Sequence, residues 1–303
     1  MRRIAFMILA VAFVATVLLA SPFQIFAKEL SVSSDKKVSG FKHPESVAYD
    51  PQAKVLYVSQ FGSELKPTLK DGKGKISKVS LTGEILDDTF LPAQGQVLNK
   101  PKGIWVEGDR LWVTDIDSVW VFDIKARKGK KVSLPGSSFA NDPAVTNGVL
   151  FVSDTGSDCI YRIEPADFLN TKTDPKISVV YKGGGCDPNG LYPASDGSIL
   201  FVGYNMNGKP GGIYKLEPDG KVTVLAKDIG MLDGLFQMND GSLLITDWSS
   251  GSLVHWTAEK GIVTLAQGFQ GPADFAVIPE KDGMQVVVPD LVTGDIRFIV
   301  LTD

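Results

Sequence analysis

The amino-acid sequence predicts an all-β fold, a six-bladed β-propeller with four-stranded blades. Three observations predict it. One strand–turn–strand phrase recurs six times, the copies follow one another at blade-like intervals, and the last copy lacks a strand that the N-terminal part of the chain can supply.

The phrase is a short apolar strand, a turn, and a second apolar strand that tends to end in Ser or Asp. Its copies are Glu45-Ser-Val-Ala-Tyr-Asp with Val55-Leu-Tyr-Val-Ser, Lys102-Gly-Ile-Trp-Val with Leu111-Trp-Val-Thr-Asp, and Asn141-Asp-Pro-Ala-Val with Val149-Leu-Phe-Val-Ser-Asp. Asn189-Gly-Leu with Ile199-Leu-Phe-Val-Gly, Asp233-Gly-Leu-Phe with Leu243-Leu-Ile-Thr-Asp, and Ala273-Asp-Phe-Ala-Val with Met284-Gln-Val-Val-Val-Pro-Asp complete the set. Measured from positions 45, 102, 141, 189, 233 and 273, the intervals are 57, 39, 48, 44 and 40 residues, the length of a four-stranded blade. Third strands follow, such as Val119-Trp-Val-Phe and Ile160-Tyr-Arg-Ile, and then fourth strands, such as Val179-Val-Tyr and Val222-Thr-Val-Leu. Asn147-Gly148, Asp219-Gly220 and Asp240-Gly241 supply the turn chemistry that tight hairpins demand. The final copy stops at its third strand, 296–301, and Leu30-Ser-Val-Ser near the N-terminus is placed to complete that blade and close the ring. A β-sandwich array or two β domains would need a linker-like shift in composition, and the chain has none.

The N-terminal segment differs in kind. Arg2 and Arg3 precede an apolar run over 4–20, and Phe26-Ala27 comes just before the first charged residues, Lys28 and Glu29. This is the layout of a signal peptide spanning 1–27, which leaves 28–303 as the propeller domain and places it outside the cytoplasm, periplasmic or secreted. An uncleaved anchor is the rival reading, because the run is close to the ~20 residues that cross a bilayer. A net charge of −4 with no block of Lys or Arg gives no basic footprint for nucleic acid. The expected partner is a small-molecule substrate, with no nucleic acid and no stable membrane domain once the signal is removed, and the chain is expected to act as a monomer. Two cysteines, Cys159 and Cys186, form a candidate disulfide in an oxidising compartment, the alternative being two unrelated buried thiols.

The residues that open the six inner strands converge on one mouth of a propeller channel. Here they are Glu45, Lys102, Asn141, Asn189, Asp233 and, one place into its copy, Asp274. Blade packing alone would favour small or apolar residues at these positions. Two carboxylates and two amides offer four oxygens to one ion, which suits a hard cation, Ca²⁺ first, and not zinc. Asn and Asp also serve as ordinary turn residues, and that bland reading stands beside the metal one.

Glu45 in Pro-Glu-Ser-Val-Ala-Tyr-Asp, Asn141 in Ala-Asn-Asp-Pro-Ala-Val, Asn189 in Asp-Pro-Asn-Gly-Leu and Asp233 in Leu-Asp-Gly-Leu resemble the four metal-ligand motifs of the gluconolactonase/regucalcin (senescence marker protein) family. The similar diisopropyl fluorophosphatase shares them. The motifs fall in blades one, three, four and five, in the family's order, although Ser46 stands where family members commonly have Gly. The resemblance implies a calcium-dependent hydrolase of lactones, esters or phosphotriesters, with Asp233, or in its place Glu45, as general base. Lys102 and Asp274 would then orient substrate, and Lys102 also has the simpler reading of offsetting the negative ring. Loops 60–73, 154–158, 204–211 and 247–251 should frame the mouth, with Phe61, Tyr204, Met206 and Trp248 as an apolar wall. The reading from a different class is a non-catalytic exported propeller that binds a small ligand or a protein, its ion serving to stiffen the channel.

Overall fold

The computed structural model describes residues 29–302. The signal-peptide reading of 1–27 therefore lies outside the described residues. Among the described residues no helix is long and apolar enough to cross a membrane.

Six four-stranded antiparallel sheets form the predicted propeller. The innermost strands are Pro44–Asp50, Pro101–Glu107, Ala140–Thr146, Pro188–Pro193, Leu232–Gln237 and Ala276–Glu280. Those of blades one to five pack side by side in order, and that of blade six returns against blade one. Blade six is closed as expected: Ser31–Ser39 pairs antiparallel with Asp295–Thr302, in register from Ser31 with Thr302 to Ser39 with Asp295 apart from one bulge. The Asn147-Gly148 hairpin turn takes positive φ at both residues, 51° and 74°.

The second strands are buried on both faces because each sheet is covered by a neighbour on either side. All six residues of Val55–Gln60 and all five of Leu243–Asp247 are buried. Alternate side chains then serve opposite neighbours. Val55 and Tyr57 pack with Leu111 and Val113 of blade two, while Leu56 and Val58 pack with Val287 and Phe298 of blade six. The core is accordingly distributed, with one apolar cluster at each of the six blade–blade interfaces.

The Asp that ends a second strand has a repeated structural task. Asp115 accepts from the backbone N–H groups of Asn99 and Lys100, Asp154 from those of Ser138, Phe139 and Ser157, and Asp290 from those of Gln270, Gly271, Val292 and Thr293. Each carboxylate so pins the loop that leads into the inner strand of its own blade. Blade four has Gly203 in this place, where a Cβ would stand 2.3 Å from the Cys186 carbonyl oxygen. Asp158 of blade three takes over the task, accepting from Gly185, Cys186 and Asp187.

The expected Cys159–Cys186 disulfide is not formed; both cysteines are free and buried. Their faces explain it. Cys159 joins the cluster between blades two and three, with Trp112 and Val121. Cys186 joins the cluster between blades three and four, beside Ile160, whose side chain leaves the opposite face of the strand from its neighbour Cys159. The sheet of blade three stands between the two sulfurs.

Candidate metal centre at the mouth of the channel

The polar ring arises where the inner strands begin, at a shared irregularity. In blades one to five the register with the second strand breaks over the polar residue: between Pro44 and Ser46, Pro101 and Ile104, Ala140 and Pro143, Pro188 and Leu191, and Leu232 and Leu235. A bulge leaves a residue outside the ladder and re-aims its side chain, which is how an inner strand can present a polar group to the axis. In blade six Asp274 precedes its strand. It is bridged to blade one instead: its N–H donates to the Glu45 carbonyl at 3.0 Å and its own carbonyl accepts from Val47 at 3.3 Å.

Glu45, Lys102, Asn141, Asn189 and Asp233 are each 0–6% exposed, so a missing hydrogen bond at any of them is costly. Yet Glu45 Oε2, Asn189 Oδ1, Asp233 Oδ1 and Lys102 Nζ have no partner. The other Asp233 oxygen, Oδ2, accepts from the Trp248 indole at 2.9 Å. Asn141 Nδ2 donates to Thr155 Oγ1 at 3.1 Å, and that hydroxyl spends its proton on the Pro188 carbonyl at 2.9 Å. Thr155 can then only accept from Asn141, which fixes the amide's orientation and turns its oxygen to the other side. Three of the four expected ligand residues thus hold a buried oxygen with nothing to bind, and the fourth is anchored through its nitrogen.

The electrostatics carry the same imbalance. Burial pushes the Glu45 carboxyl well above its ordinary range, and the charges of Asp233, Asp274 and Asp142 push it further, against Lys102. Asp233 is pushed up to about 8 by burial and then by Asp274, with the Trp248 and Asn189 side chains pulling the other way. Burial raises Asp274 to about 7, and burial with the Asp274 charge raises Asp142. Lys102 is pushed down to about 8 by burial, opposed most by Glu45. Of these four carboxylates Glu45 alone feels the Lys102 ammonium, which lies 4.3 Å from the Phe139 ring centroid and 5.8 Å from that of Phe61.

A hard cation fits these donors. They are all oxygens, two from carboxylates and two from amides, and a positive charge there would relieve the excess. The two histidines stand apart: His43 Nδ1 is 2.8 Å from the Leu291 carbonyl, and His255 pairs with Leu244 within blade five. Among the described residues no group of three or more His, Cys, Asp or Glu side chains is placed to hold a metal, so any ion at the ring would depend on the amides of Asn141 and Asn189 as much as on carboxylates.

Of the expected wall, Tyr204 and Trp248 meet edge to face at 6.1 Å beside Asp233, whose charge raises the Tyr204 hydroxyl to about 12 after burial. Phe61 packs with Ala273, Leu291 and Trp248. Met206 is 54% exposed, its N–H donating to Asp187 Oδ2. The 60–73 loop is tied down by fully buried Lys100, which donates to the Phe61 carbonyl and to Asp71, both at 2.8 Å. Sequence reasoning missed Lys100, the carboxylate of Asp142, and Phe139 beneath Lys102. Asp142 directly follows Asn141, and that adjacency was the one available signal.

Fold and ring together define a closed six-bladed propeller with an acidic, oxygen-rich channel mouth. The solved structures that resemble it share the fold at low identity. Virginiamycin B lyase from Staphylococcus aureus superposes with a TM-score of 0.58 at 15% identity, over 91% of this chain and 100% of that one. A streptogramin B lyase gives 0.57 at 16%, over 89% and 98%. A chain of a nidogen/laminin complex gives 0.55 at 15%, over 82% and 89%. No protein-family model and no curated protein matches the chain.

Proposed function

We propose that this protein is a hydrolase dependent on a hard divalent cation, calcium foremost, that acts on a lactone, an ester or a phosphotriester. The observation that carries the reading is the set of unpartnered buried oxygens on Glu45, Asn189 and Asp233, in a channel with four carboxylates and one lysine. Glu45, Asn141, Asn189 and Asp233 would hold the ion. When bound, it supplies Lewis-acid polarisation of a carbonyl or phosphoryl oxygen.

The chain's own groups supply the rest. Trp248 holds Asp233 by Oδ2, leaving Oδ1 to take a proton from an attacking water, with Glu45 as the second possible base. Lys102, lodged against Phe139, sets positive charge beside the ring to favour negative charge developing on substrate. Tyr204 and Trp248 offer an apolar edge for the substrate body, and Asp274 lies deeper, bonded to Ser46. The apolar segment over 4–20 supports export as part of this proposal.

Purified protein assayed with γ- and δ-lactones, aryl esters and a phosphotriester, with and without chelator, tests the reading. Chelator-sensitive turnover of one class supports it. Calcium binding without turnover of any class would favour the second reading, a binding propeller with a structural ion, for which the likeness to a propeller solved in a nidogen/laminin complex is the specific support.

A further inference from the structure

The channel has a second functional-looking end. Later positions of the inner strands of blades one, two, four, five and six, with Asp142 near the start of the blade-three strand and Asp274 just ahead of the blade-six strand, line a cavity of about 390 Å³, within the size range of small-molecule sites. Its walls are aromatic and aliphatic, with Tyr49, Trp105, Tyr192, Phe236 and Phe275 among them, and Tyr192 and Phe236 form an edge-to-face corner at 5.2 Å. The only charged residues that line it are Asp142 and Asp274, and no lysine or arginine does.

The backbone makes room for these two carboxylates. A Cβ on Gly103 would lie 2.4 Å from Asp142 Oδ1, and one on Gly234 would lie 2.9 Å from Asp274 Cα. Both acids are held by neutral donors: Asp142 Oδ2 accepts from the Leu191 N–H at 2.7 Å, and Asp274 Oδ2 accepts from the Ser46 hydroxyl at 2.5 Å. They are thus oriented by neutral groups, with no basic side chain lining the chamber beside them. A bare metal ion would find the two acids but no further ligands on aromatic walls, and a neutral hydrophobe would leave both acids without a partner of opposite charge. An ammonium on an apolar body satisfies both surfaces at once, by charge-assisted hydrogen bonds to the acids and by cation–π and apolar contact with the rings.

We propose that this chamber binds a small organic cation, a primary or secondary amine with an aromatic or aliphatic body, its nitrogen at Asp142 and Asp274 and its body in the Tyr192–Phe236 corner. The chamber meets the ring at Asp142 and Asp274 but is lined by none of the four expected ion ligands, and it stands whether or not the protein is a hydrolase. The test is titration of the purified protein, in saturating calcium, with 2-phenylethylamine, 2-phenylethanol and 3-phenylpropionate, followed by calorimetry and ligand-observed NMR. The amine should bind at least tenfold more tightly than the alcohol, and the carboxylate should not bind. Asp274→Asn and Asp142→Asn, which keep an acceptor oxygen for Ser46 and Leu191, should each weaken the amine at least tenfold and leave the alcohol unchanged. Equal binding of amine and alcohol by the unaltered protein would overturn the proposal, as would amine binding that both variants retain or that calcium abolishes by competition.

Discussion

Trp248 donates its indole N–H to Asp233 Oδ2 at 2.9 Å, while Asp233 Oδ1 is buried with no partner. One oxygen of this carboxylate is therefore positioned by the protein and the other is kept for something else. Asp233→Asn preserves size and an oxygen but removes the charge and the proposed base. It should keep the fold, judged by circular dichroism, and lower kcat at least ~100-fold on whichever substrate is found. Trp248→Phe frees Oδ2 and should cost less, and Asn189→Asp should hold or raise calcium affinity with a smaller fall in turnover. Near-normal turnover in Asp233→Asn would remove it from the mechanism.

Stability should depend on pH with an unusual sign in the absence of calcium. Asp233 and Asp274 rise on folding to about 8 and about 7, and Glu45 and Asp142 also rise. Between the unfolded value near 4 and these folded values the native state binds more protons, so stability is greatest at the acid end of this window and falls as pH rises. Lys102, lowered to about 8, opposes this only above that pH. Thermal melts in chelator should lose Tm from pH 5 to pH 8, and the rise in Tm on adding calcium should grow over the same interval. A flat profile in chelator would show that the ring does not hold uncompensated carboxylates.

The two cysteines should behave as buried thiols. Burial raises Cys159 to about 11 and also raises Cys186, so neither is a thiolate at neutral pH. A thiol reagent should find almost none in the native protein and two after denaturation without reductant. Finding none after denaturation would mean that a bridge forms across the blade.

Asp290 accepts four backbone N–H bonds at the end of its strand. Asp290→Ala should destabilise the protein by ~1–3 kcal/mol, through the loss of four backbone bonds, that to buried Gly271 among them, measured by chemical denaturation with an unchanged m-value. Asp219→Ala, in an exposed turn, is the control and should change little.

The propeller was legible because its signal is repeated. Val55–Gln60 and Leu243–Asp247 are short apolar runs buried on both faces, and the polar residue ahead of each inner strand marks the axis. What stayed hidden depends on contacts between blades. Asp142 looks like a turn residue until Leu191, a blade away, donates to it. Lys100 looks like a surface lysine until the 60–73 loop folds over it. Two cysteines in a chain expected to be exported read as a pair until the pleat of blade three sets Cys159 against blade two and leaves Cys186 on the blade-four side.

Blade six joins residues near the two ends of the described chain, with Ser31 meeting Thr302 across 271 positions of sequence. Each of the other blades is built from a continuous stretch and can pair its strands as it is made. The ring is different, since its first strand must wait, unpaired, until almost all of the chain is present. Partners so distant in sequence make closure slow relative to blade formation. Until then the first strand stays open to proteases, so that the finished ring and a protease-resistant chain arrive in a single event.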